Sequence, residues 1–164
     1  AFADQIRNYQ KQIRETESVS LHVRRGDYLE HPEIYGMSCT TEYYQAGVRY
    51  IRERHPDAEI FVFTNDPVFT EKWLQENFLG DFIQGTSEET GYLDLMLMSQ
   101  CKHQLMANSS FSWWGAWLNP NKDKIVVAPE PWFGDRNFHD IYTEGMIRIN
   151  PQGMIRQKER ISEE

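Results

Sequence analysis

Long apolar runs are missing from this 164-residue chain, as are closely spaced cysteines, a surplus of positive charge and the glycine-rich signatures of common nucleotide sites. Each absence removes a class of function. No apolar stretch approaches the roughly 18–20 residues that a membrane helix needs, and the N-terminus lacks the basic-then-apolar order of a signal peptide. The only two cysteines, Cys39 and Cys101, lie far apart and outside any paired metal spacing, which supports a reduced, intracellular chain. Cys101 and His103, two apart, bring no further metal ligands at a recognised spacing, so no metal is expected. Lys and Arg number 17 against 25 Asp and Glu, and the formal charge of −8 argues against a general nucleic-acid or anionic-membrane surface. Any anion site must be local. The chain also has neither a G-x-G-x-x-G nor a Walker-type loop, which argues against a dinucleotide oxidoreductase or an ordinary NTPase.

What is present reads as one domain. Hydrophobic residues make up 40% of the chain, enough for a core of its own. Residues 3–16 form a polar helix with Ile6, Tyr9 and Ile13 on one face, followed by a strand over 18–24. A polar loop from Glu30 to Ser38 leads to Thr40 and Thr41, which cap a helix near 41–54. The clearest strand is 59–64, stopped by Asn65-Asp66-Pro67 before a helix to about residue 77. A brief strand at 81–83 precedes a helix opened by Ser87-Glu88-Glu89 and rich in Leu and Met; a strand over 102–107 comes next. An aromatic helix over 111–118 is ended by Asn119-Pro120, and a further strand covers 125–128. Strands alternating with helices of this length predict crossover units and a mostly parallel sheet, that is, an α/β, Rossmann-like three-layer domain.

In such sheets ligands bind beyond the carboxyl ends of the strands. Three groups sit there: Arg24, Arg25 and Asp27; Thr64, Asn65 and Asp66; and Asn108, Ser109 and Ser110 at the start of the aromatic helix. Two arginines, whose planar forks keep their charge, together with a serine-capped helix end would hold a diphosphate. His22 is read equally as a ligand-facing group or as a satisfied core histidine. Asp27 could pair with Arg25, orient an acceptor, act as a base or hold its own turn; nearby positive charge cuts against the base. Asp94 is an acid inside an apolar helix, costly to bury without a partner; it suits the paired N–H donors of a guanine or a surface salt bridge. Trp113, Trp114 and Trp117 stand at helical spacing and predict core packing over a sugar-stacking platform. No base declares itself among Asp27, Glu33, Glu42 and Asp66.

The segments His22-Val23-Arg24-Arg25-Gly26-Asp27-Tyr28 and Ala107-Asn108-Ser109-Ser110-Phe111-Ser112-Trp113-Trp114-Gly115-Ala116-Trp117-Leu118, in this order and about 80 residues apart, closely resemble the α-1,2-fucosyltransferases. The resemblance covers roughly 18–135 and implies transfer of L-fucose from GDP-fucose to a sugar hydroxyl, inverting, with no metal or other cofactor. It implies the donor-binding C-terminal half of a GT-B-type enzyme, with an N-terminal half outside this sequence. The partners it implies are a nucleotide sugar and an oligosaccharide acceptor, not nucleic acid, at a cytoplasmic or peripheral-membrane location. Arg24 then matches the arginine on the β-phosphate, with Arg25 as its helper, and His22 touches guanine or ribose. Asn108, Ser109, Ser110 and Phe111 contact diphosphate and nucleoside, and Asp94 reads guanine. The corresponding division of the chain is a linking helix over 1–17, a GDP-fucose-binding domain over 18–150 and a solvated tail over 151–164.

Overall fold

A computed structural model describes residues 2–36, 38–78, 81–82, 90–134 and 138–156. Helix α1 (Phe2–Glu15) leads into β1 (Glu17–Val23), followed by a 3-10 turn (Gly26–Glu30) and the short α2 (Pro32–Tyr35). Then come α3 (Thr41–Arg52), β2 (Ala58–Thr64), α4 (Pro67–Asn77), β3 (Asp81–Phe82) and α5 (Gly91–Gln100). The chain continues with β4 (His103–Leu105), α6 (Ser110–Leu118), β5 (Val126–Pro129) and β6 (Ile147–Ile149). The six strands form one sheet in the order β3-β2-β1-β4-β5-β6, every pair parallel. The α/β, Rossmann-like three-layer expectation holds. Strands are added outward from β1 as far as β3, and the chain then crosses back to lay β4 on the other side of β1. The order therefore reverses between β1 and β4, the switch point at which such sheets open a crevice.

Two apolar layers explain the strands. Val19, Leu21 and Val23 of β1, with Ile60 and Val62 of β2, pack under α3 and α4 through Tyr43, Tyr44, Ile51 and Trp73. On the opposite face Phe61 and Phe63 meet Ile6 and Ile13 of α1 and Leu97 and Met98 of α5. Strand side chains alternate between faces, so Ser18, Ser20 and His22 point to this second side, where Ser18 Oγ donates to the Ile13 carbonyl at 2.8 Å. Polar caps set the helix starts. Thr40 Oγ1 accepts from Tyr43 N at 3.1 Å, Asp66 Oδ1 from Phe69 N at 3.2 Å, and Ser109 Oγ from Phe111 N at 3.2 Å. Close helix–sheet packing sets Gly47, where a Cβ would stand 2.5 Å from Leu105 Cδ1.

Some boundaries differ from the sequence reading. The strand expected over 102–107 is His103–Leu105, although Met106 N still donates to Val127 O at 2.9 Å. The 3-10 turn and α2 occupy the expected loop, and β6 was not foreseen. The helix start at Ser87-Glu88-Glu89 and Ile83 of the brief strand lie outside the described residues. Residues 151–156, assigned to the tail, turn back on β6 and α3: Arg156 N donates to Arg148 O at 2.9 Å, and Thr40 Oγ1 donates to Pro151 O. Residues 157–164 lie outside the described residues. Among the described residues no helix is long and apolar enough to cross a membrane.

Candidate functional site

The reversal between β1 and β4 brings the arginine turn and the serine loop side by side. Both leave the carboxyl ends of adjacent strands. The third group, after β2, braces the first. Asn65 Oδ1 accepts the Arg25 N–H at 2.9 Å, and Asn65 Nδ2 donates to Asp27 Oδ1 at 3.4 Å. Asp27 Oδ2 in turn accepts from Arg24 Nη2 at 2.9 Å. This relay explains Gly26, because a Cβ there would lie 2.6 Å from Asn65 Nδ2. The glycine makes room for a bracket; among the described residues the left-handed glycines are Gly134, Gly145 and Gly153.

The Arg24 hydrogen bond holds the Asp27 carboxyl below its ordinary range, so Asp27 is a weak base and a firm partner for Arg24. Arg24 keeps Nε buried without a protein partner among the described residues. Arg25 goes the other way. Its guanidinium lies 3.4 Å from the centre of the Phe69 ring, with Nε 3.7 Å from Asp66 Oδ2, and ties the turn to the start of α4. Asp66 is thereby committed to the α4 cap and Arg25, while Glu33 sits on the surface 3.4 Å from His31.

On the serine side, Asn108 is buried and its amide holds the loop: Nδ2 donates to Tyr35 O at 3.1 Å and Oδ1 lies 3.5 Å from Cys39 Sγ. Tyr28 Oη donates to Asn108 O at 3.1 Å and closes the turn onto this loop. Ser109 caps α6, and Ser110, its first helical residue, is exposed at the positive end of the helix. His22, 3% exposed, lies 5.7 Å from Phe111, ring centre to ring centre. Burial first, and then the Arg24 charge, push its pKa down to about 3, so the imidazole is neutral. Its Nδ1 has no protein partner among the described residues, so His22 is buried but is not a satisfied core histidine. Asp94 is buried in the first turn of α5. A helix joining two parallel strands starts at the edge where strands end, which puts Asp94 at the same edge as the arginine turn.

The tryptophans correct one expectation. Trp113 is half-buried and donates from Nε1 to Ile141 O at 2.8 Å, but Trp114 and Trp117 are 50% and 58% exposed. Helix α6 instead buries Ser112, Gly115 and Ala116, and the Gly115 Cβ position is only 3.3 Å from Met98 Cβ of α5. Small residues let the two helices approach, and the large rings are left outside.

The opposite edge of the sheet holds the described residues of metal-ligating type that lie together: Glu17, His55 and His103. Their hydrogen bonds disfavour a cation. His103 Nδ1 accepts from Ile125 N at 3.0 Å, so the ring proton is on Nε2, aimed at Glu17 Oε1 at 2.8 Å, and no lone pair is left for a metal. Lys102 Nζ takes Glu17 Oε2 at 2.8 Å. Cys101, named with His103 in the sequence reading, is buried, its Sγ 3.5 Å from Leu97 O.

The sequence is similar to those of several known transferases. An alpha-1,2-colitosyltransferase of Escherichia coli is 42% identical over 146 residues, 84% of this chain and 49% of that protein. The O-antigen biosynthesis glycosyltransferase WbnK of Escherichia coli is 38% identical over 149 residues, 86% of this chain and 48% of that protein. Galactoside alpha-(1,2)-fucosyltransferase 1 of Homo sapiens is 33% identical over 117 residues, 67% of this chain and 31% of that protein. The chain thus spans about half the length of these two bacterial relatives. Residues 1–151 match glycosyl transferase family 11, and the chain belongs to that family.

Proposed function

We propose that this chain binds GDP-fucose and supplies the donor side of an enzyme that moves L-fucose to the 2-hydroxyl of a terminal galactose or a similar sugar. The observation that carries the reading is the meeting of Arg24 and the serine-capped start of α6 across the β1–β4 reversal. A diphosphate bound there faces a fixed cation and a helix N-terminus, which together neutralise the charge that grows on GDP as it leaves. In this reading no metal is needed for that task. His22 Nδ1 and the Phe111 ring face the nucleoside, and Asp94 accepts from guanine N–H groups.

In the reaction the bond from the anomeric carbon to the β-phosphate oxygen breaks, and its electrons stay with GDP. The acceptor hydroxyl attacks the opposite face and inverts that carbon, and its proton passes to solvent or a weak base. Departure of GDP does most of the work, so a strong base is not required. A second reading is colitosyl transfer, favoured by the relative that is 42% identical and is named for that activity. The test is calorimetry of this chain with GDP, UDP and ADP, then with GDP-fucose. The expected result is guanine-selective binding, lost mainly in its diphosphate share in Arg24→Ala and in its base selectivity in Asp94→Ala. A folded chain that binds the three diphosphates alike, or none of them, overturns the reading.

A further inference from the structure

The functional edge does not stop at the arginine turn. Arg24 Cζ lies 5.6 Å from the centre of the Tyr28 ring. From there the aromatic rings run on without a break: Tyr28 stacks on Tyr35 at 4.1 Å, Phe133 meets Tyr35 edge-on at 5.4 Å, and Phe138 meets Phe133 at 5.7 Å. The row crosses the end of β4, where Tyr28 bonds the Asn108 carbonyl, and finishes in the segment after β5. There it borders a cavity of about 540 Å³ whose walls include Trp113, Phe133, Phe138, His139 and Asp140. Its size falls within the span of small-molecule clefts.

Two properties set this cavity apart from an ordinary core seam. Its aromatic lining runs from buried to open, with Trp132 2% exposed and Phe138 43% exposed. It is also held in place beforehand. The Trp113 indole N–H is fixed on Ile141 O at 2.8 Å, and Tyr142 Oη on Pro129 O at 2.8 Å, so little order remains to be imposed on binding. Flat apolar rings beside an exposed carboxylate and an exposed imidazole suit a ligand with one apolar face and a rim of hydroxyls. A neutral pyranoside has that form: its C–H face covers a ring and its hydroxyls donate to a carboxylate.

We infer that the row from Tyr28 to Phe138, with the cavity at its end, is a pyranoside subsite that receives the acceptor sugar, with Phe133 and Phe138 as stacking faces and Asp140 as a hydrogen-bond acceptor. The inference rests on the glycosyl-transfer reading for the identity of the sugar. The test is saturation-transfer NMR and tryptophan fluorescence with methyl β-D-galactopyranoside, on the chain with and without saturating GDP. The wild-type chain binds the galactoside. Phe138→Ala weakens binding about tenfold and Asp140→Asn about fivefold, as expected for losing one stacking face or one hydrogen-bond acceptor. Phe138→Trp retains binding, and GDP affinity in all three variants stays within about twofold of wild type because none of these residues faces the diphosphate. Absence of galactoside binding by the wild-type chain, or binding undiminished in both Phe138→Ala and Asp140→Asn, overturns the subsite. The GDP titration on the same samples separates the two ideas. GDP binding without galactoside binding removes the subsite alone, and Phe138-dependent galactoside binding without GDP binding keeps the subsite and removes the donor reading.

Discussion

Strand β1 carries an ionisable side chain toward each end, and the two ends are built on opposite principles. At its start Glu17 is saturated: Lys102, His103 and His55 all approach its carboxylate, and His103 uses both ring nitrogens. Toward its finish His22 keeps a buried nitrogen without a protein partner among the described residues, as does Arg24 just beyond. One end of the sheet completes its polar network internally and the other leaves it open. Buried polar groups are normally satisfied, so the closed end is where the fold is fastened, while the open end keeps polar groups that the proposed donor would satisfy.

The largest test of this contrast is acid stability. The folded state holds His22 at about pKa 3, far below the roughly 6.5 of an unfolded histidine. Between those values the unfolded chain binds the extra proton, so stability is full above about pH 6.5 and falls as pH drops toward the folded value, by on the order of a few kcal/mol. His103 is lowered chiefly by burial and works in the same direction. Glu17 is lowered chiefly by the Lys102 hydrogen bond, so its contribution is present above the usual carboxylate range and is lost as acid neutralises it. Denaturant melts of wild type and His22→Gln from pH 7 to pH 3.5 should show a shallower slope in the variant; equal slopes would mean that His22 is not the open group described here.

Next in size is a separation of effects between the two edges. Arg24→Ala is expected to weaken GDP binding about 100-fold with little change in Tm, as for removal of a charged hydrogen-bond donor. His103→Ala is expected to cost about 2–3 kcal/mol of stability, because it leaves the Ile125 N–H without its acceptor and takes one of three partners from Glu17, while GDP affinity holds. Thermal melts paired with calorimetry check both, and a variant that moved both quantities together would collapse the contrast. Smaller still is Asn65→Ala, expected to weaken GDP about tenfold through slack in Arg24. Its effect should be non-additive with Asp27→Asn in a double-mutant cycle, because both break one relay.

Much of this was legible beforehand because it rests on local chemistry. The cap at Thr40, the serine-capped start of α6, the strand expected over 59–64 and found at Ala58–Thr64, and the placing of both motifs at strand ends follow from short-range patterns. What could not be read depends on distant partners. Asn65 looks like any turn residue until its side chain is seen spanning two loops, and the helical spacing of the tryptophans says nothing about which side of α6 meets α5. Strand β6 is three residues with Arg148 at its middle, too short to carry a strand pattern, and it is specified by pairing with β5. Arg25 has the same charge and chain position as a phosphate ligand, and only the Phe69 ring and Asp66 reveal that it faces the other way.

The inward face of α6 makes an unusual mutational map. Saturation mutagenesis of Ser110–Leu118 scored by abundance should find its intolerant positions at Gly115, where a side chain presses on Met98 of α5, and at Ala116, which packs with Met106, Val126, Ala128 and Trp132, and its permissive ones at Trp114 and Trp117. Ranking these sites by residue size would thus invert their importance to the fold. Because the same helix presents Ser110 at its start, a glycine five residues along sets the direction in which that exposed helix end points.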